Sequence, residues 1–277
     1  MTATRFAPSP TGPLHLGHAW AALVAADHGA MRLRIEDIDR QRSKPEWEAA
    51  IHADLAWLGL APVGAVVRQS ERLALYDAAL DRLWAMGVLY PCTCARRDVL
   101  AAAAAPQEGA PLLGPDGVVY PGTCRGRPRT GPRPDGALRL DAAAVPPLAW
   151  DDARLGPGAM DPETFAATVG DVVVARRDFG TSYHLSVVVD DAAQGIDLVT
   201  RGEDLAEATP IHVALQRLLD LPTPRYLHHD LVRDAAGKRL AKRDDARALA
   251  AYRAAGWTAD ALAARLRRSR TAPDPDS

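Results

Sequence analysis

Of 277 residues, 48% are apolar and 25% charged, and 33 Lys and Arg against 35 Asp and Glu leave a net charge of −2. That apolar share supports a real core in one large or two small domains and excludes a disordered chain; near-neutrality means that any nucleic-acid contact comes from a local basic patch. No basic start leads into a long apolar stretch and no run approaches a membrane span, so the expectation is a cytoplasmic enzyme with no membrane partner.

Thr2 to Phe6 has the β-branched and aromatic content of a short strand, Pro8, Pro10 and Gly12 break it, and an apolar helical run follows from about Leu16 to Ala26. Met31 to Ile35 reads as a second strand, closing a β-loop-α-β unit whose crossover is right-handed and parallel. Ser9, His15, His18 and the acidic group Glu36, Asp37 and Asp39 then gather at the carboxyl ends of neighbouring strands, where open α/β sheets bind ligands. His15 and His18 share one face of the helix start beside free backbone N–H groups, which suits a polyphosphate, although two such histidines also fit an ordinary surface. Gly17 between them would let a flat group such as an adenine ring approach the backbone.

The run Arg5-Phe6-Ala7-Pro8-Ser9-Pro10-Thr11-Gly12-Pro13-Leu14-His15-Leu16-Gly17-His18 resembles the HIGH signature of class I aminoacyl-tRNA synthetases, in the form used by the glutamyl and glutaminyl branch. The resemblance implies an α/β fold built on a Rossmann-type parallel sheet.

Beyond the acidic group, a helix runs from Lys44 to about Leu58 and stops at Gly59, a short strand covers Ala65 to Arg68, and a helix from about Glu71 to Met86 turns Leu73, Tyr76, Leu80, Leu83 and Trp84 toward a core. From Tyr90 to about Pro147 the chain is irregular and rich in Pro, Gly and Arg, reading as an insertion in the sheet. Three cysteines form no even framework: Cys92, Cys94 and Cys124 with Tyr120 could fill a tetrahedral zinc site or could be free buried thiols. The arrangement resembles the zinc site of glutamyl-Q tRNA(Asp) synthetases, which implies one structural zinc. Arg125, Arg127, Arg129 and Arg133 follow, able either to neutralise phosphates or to form a solvated loop.

Gly170 to Phe179 reads as a buried strand and a polar turn, Tyr183 to Asp191 as a helix ended by Gln194 and Gly195, and Ile196 to Leu205 as a parallel strand that carries Arg201 to the same crevice as Arg5 and Glu36. Pro210 starts a helix to Leu219, Tyr226 to Val232 looks like a last strand, and a basic turn at Lys238, Arg239, Lys242 and Arg243 follows. By composition it is an ordinary exposed loop, yet Arg239-Leu240-Ala241-Lys242-Arg243 resembles the second class I signature, KMSKS, with Arg239 and Ala241 in place of lysine and serine.

Taken together the resemblance implies His15, His18 and Lys242 as catalytic residues, ATP with magnesium held by His15, Gly17, His18, Arg239 and Lys242, and glutamate held by Arg5, Ser9, Glu36, Tyr183 and Arg201. The charge count agrees, since two carboxylates and one ammonium call for arginine forks and one acid. Val187 departs from the asparagine of ordinary glutamyl-tRNA synthetases and implies an altered pocket. The expected division is residues 1–90 and 170–235 as two halves of a catalytic domain, 91–169 as the zinc-containing insertion, and 236–277 as the KMSKS-like loop, one or two short helices and a loose tail. With only about thirty residues past that loop, nothing is expected to reach an anticodon while the acceptor end of a tRNA sits in the crevice. Over nearly its whole length the sequence resembles the glutamyl-Q tRNA(Asp) synthetases, which implies a monomer that activates glutamate without tRNA and places it on queuosine in the anticodon loop of tRNA(Asp). A truncated synthetase charging the 3′ end of tRNA(Glu) and a non-catalytic RNA-binding descendant stay open beside it.

Overall fold

The computed structural model describes residues 1–103, 113–234, 237–238, 240 and 247–274. Strand β1 (Ala3–Phe6), helix α1 (Leu16–His28) and strand β2 (Ala30–Ile35) form the expected unit, with β1 and β2 parallel. Alanine and leucine make α1 a strong helix and let it bury Leu16, Ala19, Trp20 and Leu23 against the sheet. Helix α2 (Pro45–Trp57) has its proline in the first turn and Glu46 and Glu48 near its positive end, and Gly59 past it turns left-handed at φ 69°. Strand β3 (Val67–Arg68) pairs parallel with β2 on its outer side. Helix α3 (Leu73–Ala85) buries Tyr76, Leu80, Leu83 and Trp84; Leu73, expected on that face, is exposed because it is the helix's first residue and precedes the packed turns.

The insertion comprises β4 (Leu89–Pro91), α4 (Arg96–Ala103), the hairpin β5 (Leu113–Gly114) and β6 (Gly117–Val118), strand β7 (Leu138–Leu140), the hairpin β8 (Leu148–Trp150) and β9 (Gly158–Met160), and α5 (Pro162–Thr168). Strand β7 pairs antiparallel with β4 on one side and with β10 (Val173–Ala175) on the other. The buried strand expected to open the second catalytic half therefore sits in the insertion's sheet, and a boundary between residues 169 and 170 would cut that sheet. A short run of valines announces burial but not the edge it will join.

Helix α6 (Tyr183–Ala193) is capped by Ser182, whose hydroxyl accepts from Leu185 N, and Gly195 turns the chain away from it at φ 58°. Strand β11 (Leu198–Gly202), helix α7 (Thr209–Leu218) and strand β12 (Arg225–His229) follow, with β11 and β12 parallel. Asp197 N donates to Ala3 O at 3.0 Å and Ala3 N donates to Asp197 Oδ2 at 2.8 Å, holding β11 beside β1. Across the molecule the order is β3-β2-β1-β11-β12, so the crossovers leave β1 and β11 in opposite directions. A crevice opens at such a switch point, at the strands' carboxyl ends.

Two short helices close the described chain, α8 (Leu249–Ala254) and α9 (Ala259–Arg268). Leu262 and Leu266 of α9 enter the same core as α1, and Leu249 N donates to Leu14 O at 2.8 Å, docking α8 beside the first signature. Residues 271–274, expected as part of a loose tail, lie along the body: Thr271 bridges to Arg233, and Tyr252 Oη donates to Pro273 O at 3.0 Å. Among the described residues no helix is long and apolar enough to cross a membrane.

Candidate active site

Helix α1 begins with a reciprocal cap made by the two signature histidines. His15 Nδ1 accepts from Gly17 N at 3.1 Å, His18 Nδ1 accepts from His15 N at 3.1 Å, and the two ring centroids lie 3.9 Å apart. A ring nitrogen that accepts from a backbone N–H carries no proton, so each neutral imidazole holds its hydrogen on Nε2. Capping thus presets both rings as Nε2 donors. A Cβ on Gly17 would stand 2.9 Å from His15 Cε1, so glycine is needed there first to admit the His15 ring, a closer neighbour than the flat ligand expected above it.

A cavity of about 290 Å³ lies over this helix start, bounded by His15, Gly17, His18, Trp20, His229 and Leu240. A second, of about 360 Å³, opens at the ends of β1 and β11, and Arg5, Ser9, Glu36, Tyr183 and Arg201 all line it. The two share His18, Ala21 and Gly202 and form one crevice. On its far side a cavity of about 170 Å³ shares Ser9, Glu36 and Tyr183 and continues past Arg42 and Arg176. Arg239 and Lys242 lie outside the described residues; Leu240 between them reaches the first cavity, its N donating to Val232 O at 3.2 Å. Val187 is buried in the core and lines none of the three, so its difference from asparagine falls behind the pocket wall.

The two pocket arginines have different surroundings. Arg5 donates from Nε to Asp191 Oδ1 at 3.2 Å and from Nη1 to Thr200 O at 2.7 Å. Asp191 also receives Arg34 Nη1 at 2.6 Å, and Arg34, wholly buried, reaches Glu36 Oε1 at 3.4 Å. Burial works to raise the Asp191 carboxyl, but Arg34 and Arg5 outweigh it and hold it below the usual range. For Glu36 the balance is reversed: burial pushes its carboxyl up, and Arg34 and Arg5 only partly pull it back. Arg201 has no carboxylate at ion-pair distance among the described residues. It donates to His228 Nε2 at 2.9 Å, His212 Nδ1 at 2.8 Å and Thr209 Oγ1 at 2.8 Å, and burial lowers its pKa. A buried cation with only neutral partners is poised for an incoming anion.

In the insertion the sulfurs of Cys92, Cys94 and Cys124 lie within 4.8 Å of one another, and Tyr120 Oη is 3.2 Å from Cys94 Sγ and 3.6 Å from Cys92 Sγ. Zinc–sulfur bonds of about 2.3 Å in a tetrahedron set ligands roughly 3.8 Å apart, so this donor set fits the ion. Cys124 N donates to Tyr120 Oη at 3.0 Å and orients the phenol, while Arg139 Nε, 3.3 Å from Cys92 Sγ, supplies a cation beside the thiols. Burial works upward on the Cys124 thiol, but hydrogen bonding with Tyr120 and the Thr93 backbone brings it down to about 6, which favours the thiolate that binds metal.

Three of the four arginines after the cysteines are engaged internally: Arg125 with Asp171 at 2.8 Å, Arg129 with Asp141 at 2.6 Å, and Arg133 with Asp81 at 2.6 Å. They fasten this arginine-rich loop to the chain beside β7 and β10 and to α3, and among the described residues only Arg127 of the run has no carboxylate partner. Residues that the pattern did not announce include Asp190 and Asp191, which look like a polar helix end yet lie buried, and the buried histidines His212 and His228 beside Arg201, the first a single polar residue in an apolar run and the second one of a polar pair at the end of β12.

A family model described as tRNA synthetases class I (E and Q), catalytic domain, matches residues 1–111 and 131–275. Similar proteins include the glutamyl-Q tRNA(Asp) synthetase of Rhodobacter capsulatus, 63% identical over 91% of this chain and 95% of that protein, and that of Ralstonia nicotianae, 44% identical over 88% and 78%. Among solved structures, a glutamate tRNA ligase from Elizabethkingia meningosepticum in complex with its amino acid is similar with a TM-score of 0.71 and 28% identity. That match covers 88% of this chain and 52% of the other, so the chain spans about half the length of the ligase.

Proposed function

Since the chain belongs to the glutamyl-Q tRNA(Asp) synthetases, ligases of the class I synthetase family, we propose that it activates glutamate with ATP in the absence of RNA and transfers it to queuosine in the anticodon loop of tRNA(Asp). The observation that carries the reading is the wall shared by the cavity over the start of α1 and the cavity at the ends of β1 and β11. His18 and Gly202 stand between a pocket over a helix start and a pocket with two arginines and one acid. That is the junction at which an amino-acid carboxylate and an α-phosphate would meet.

Glutamate's α-carboxylate is ionised at neutral pH and attacks the α-phosphate without a general base. The bond formed is carboxyl oxygen to phosphorus and the bond broken is the phosphoanhydride, releasing pyrophosphate and leaving glutamyl-adenylate. The protein's part is to position the groups and to meet developing charge. His15 and His18 donate from Nε2 to the phosphates, Lys242 and Arg239 would add cations for the same phosphates, and magnesium would come bound to the nucleotide. Arg201, with no acid at ion-pair distance among the described residues, takes a substrate carboxylate; Arg5, paired with Asp191, supports it. Glu36 receives the ammonium, and Ser9 and Tyr183 border the same end of the pocket. A hydroxyl of the queuosine diol then attacks the activated carbonyl, and AMP leaves.

One zinc held by Cys92, Cys94, Tyr120 and Cys124 would be structural, since four protein ligands leave no open position. Glutamate-dependent pyrophosphate exchange without RNA, followed by transfer of labelled glutamate to tRNA(Asp) carrying or lacking queuosine, tests the whole reading.

A further inference from the structure

We infer that His212 and His228, neither of which lines the amino-acid cavity, are positioning residues that clamp Arg201 in the orientation in which it receives and selects a substrate carboxylate. The inference rests on the reading of that cavity as a glutamate site.

A guanidinium can only donate, so every atom Arg201 meets must offer a lone pair. His228 therefore accepts at Nε2 and keeps its proton on Nδ1, which faces Asp152 Oδ2. Asp152 is itself fixed, its Oδ1 accepting from Arg154 N at 2.9 Å and Leu155 N at 2.8 Å. His212 accepts at Nδ1 and keeps its proton on Nε2, which donates to His184 Nδ1 at 3.0 Å. His184 then holds its proton on Nε2, 3.5 Å from Asp116 Oδ1 in the turn between β5 and β6. Thr209 completes the set: its hydroxyl donates to Ala206 O at 2.7 Å and leaves the oxygen to accept from Arg201 Nη2.

One chain of partners thus runs from Asp152 through His228, Arg201, His212 and His184 to Asp116. Every tautomer along it is dictated by its neighbours. Burial, and after it the charge of Arg201, pushes both His212 and His228 below the ordinary histidine range, which keeps them as acceptors at neutral pH. Three of the five guanidinium donors are committed to neutral acceptors, so the plane is fixed, the charge is not cancelled, and what the group still offers is N–H alone. A carboxylate satisfies it; the amide N–H of glutamine does not. A carboxylate in either histidine position would orient Arg201 equally well but would neutralise it, and this is a physical reason for imidazole at both.

The test uses the full-length protein and compares His212→Leu, which removes the acceptor, with His212→Asn, whose amide oxygen can replace Nδ1. Pyrophosphate exchange is measured against glutamate, glutamine and ATP concentration. Expected for His212→Leu is a rise in the glutamate KM of roughly 10- to 100-fold, the scale of a lost charge-assisted hydrogen bond, with weaker discrimination against glutamine and an unchanged ATP KM; His212→Asn should recover most of it. An unchanged glutamate KM in His212→Leu, or equal rises for glutamate and ATP, overturns the inference. Long-range 1H–15N spectra of the wild-type histidine rings give a readout that needs no variant: neutral His212 protonated at Nε2 and neutral His228 protonated at Nδ1 are expected, and any other tautomer for either overturns it. Absence of glutamate-dependent exchange in the wild type would instead defeat the assignment of the cavity.

Discussion

Arg34 Nη1 meets Asp191 Oδ1 at 2.6 Å with the arginine side chain wholly buried and the aspartate only 7% exposed. The same carboxylate holds Arg5, so one acid at the end of α6 fixes two cations, one on β1 and one on β2. Removing Asp191 leaves Arg5 without an acid at ion-pair distance among the described residues and leaves Arg34 only the more distant Glu36 and Asp190, so a buried cation loses its compensation.

Asp191→Asn is therefore expected to destabilise the fold by about 3–5 kcal/mol, the range for breaking a buried pair from one side. Urea unfolding followed by circular dichroism measures it. A loss under about 1 kcal/mol, as for an exposed pair, would mean that water reaches this network.

The acid limb of activity should report Glu36. Its carboxyl is raised by burial, so it protonates above the ordinary carboxylate range as pH falls, and a neutral acid no longer attracts the substrate ammonium. The glutamate KM should rise as the pH is lowered from about 8 toward 5 while the ATP KM changes less, and Glu36→Gln should give a high glutamate KM at every pH. A glutamate KM flat across that range in the wild type would remove Glu36 from this role.

Metal analysis of the purified protein should find one zinc per chain, and Cys124→Ser should lower that content sharply. Chelation should loosen the insertion, where Cys92, Tyr120 and Cys124 are buried together, as seen by faster proteolysis within residues 91–169. Zinc-free protein with an equally protected insertion would leave the three thiols as packing groups.

The parallel β1-α1-β2 unit was legible because its signals agree: β-branched strands, breakers between them and an alanine-rich helix. The helix expected over Tyr183 to Asp191 forms as α6, since Gln194 and Gly195 end it as a helix ends. Strand pairing was less legible. Nothing in Val173–Ala175 tells that it joins β7 and not the parallel sheet, because register partners lie far along the chain. The arginine run shows the limit of reading charge alone, for the acids that engage Arg125, Arg129 and Arg133 come from α3 and from around β7 and β10. His184, His212 and His228 stand on α6, α7 and β12, and only folding brings them round Arg201. Arg5, Ser9, Glu36, Tyr183 and Arg201, named from the resemblance, line one cavity, but the histidines that bond Arg201 had no pattern to betray them.

The central claim is an RNA-free activation followed by transfer to an anticodon base, and paired assays on wild-type protein and Arg201→Ala address it. Wild type should catalyse glutamate-dependent pyrophosphate exchange without RNA and should then label tRNA(Asp) that carries queuosine but not tRNA(Asp) that lacks it. Arg201→Ala should lose the exchange at low glutamate while still binding ATP, because a substrate carboxylate left unpaired in a buried site costs about 1–3 kcal/mol or more. Exchange that requires tRNA(Glu), with label on its 3′ end and none on queuosine, would contradict the account.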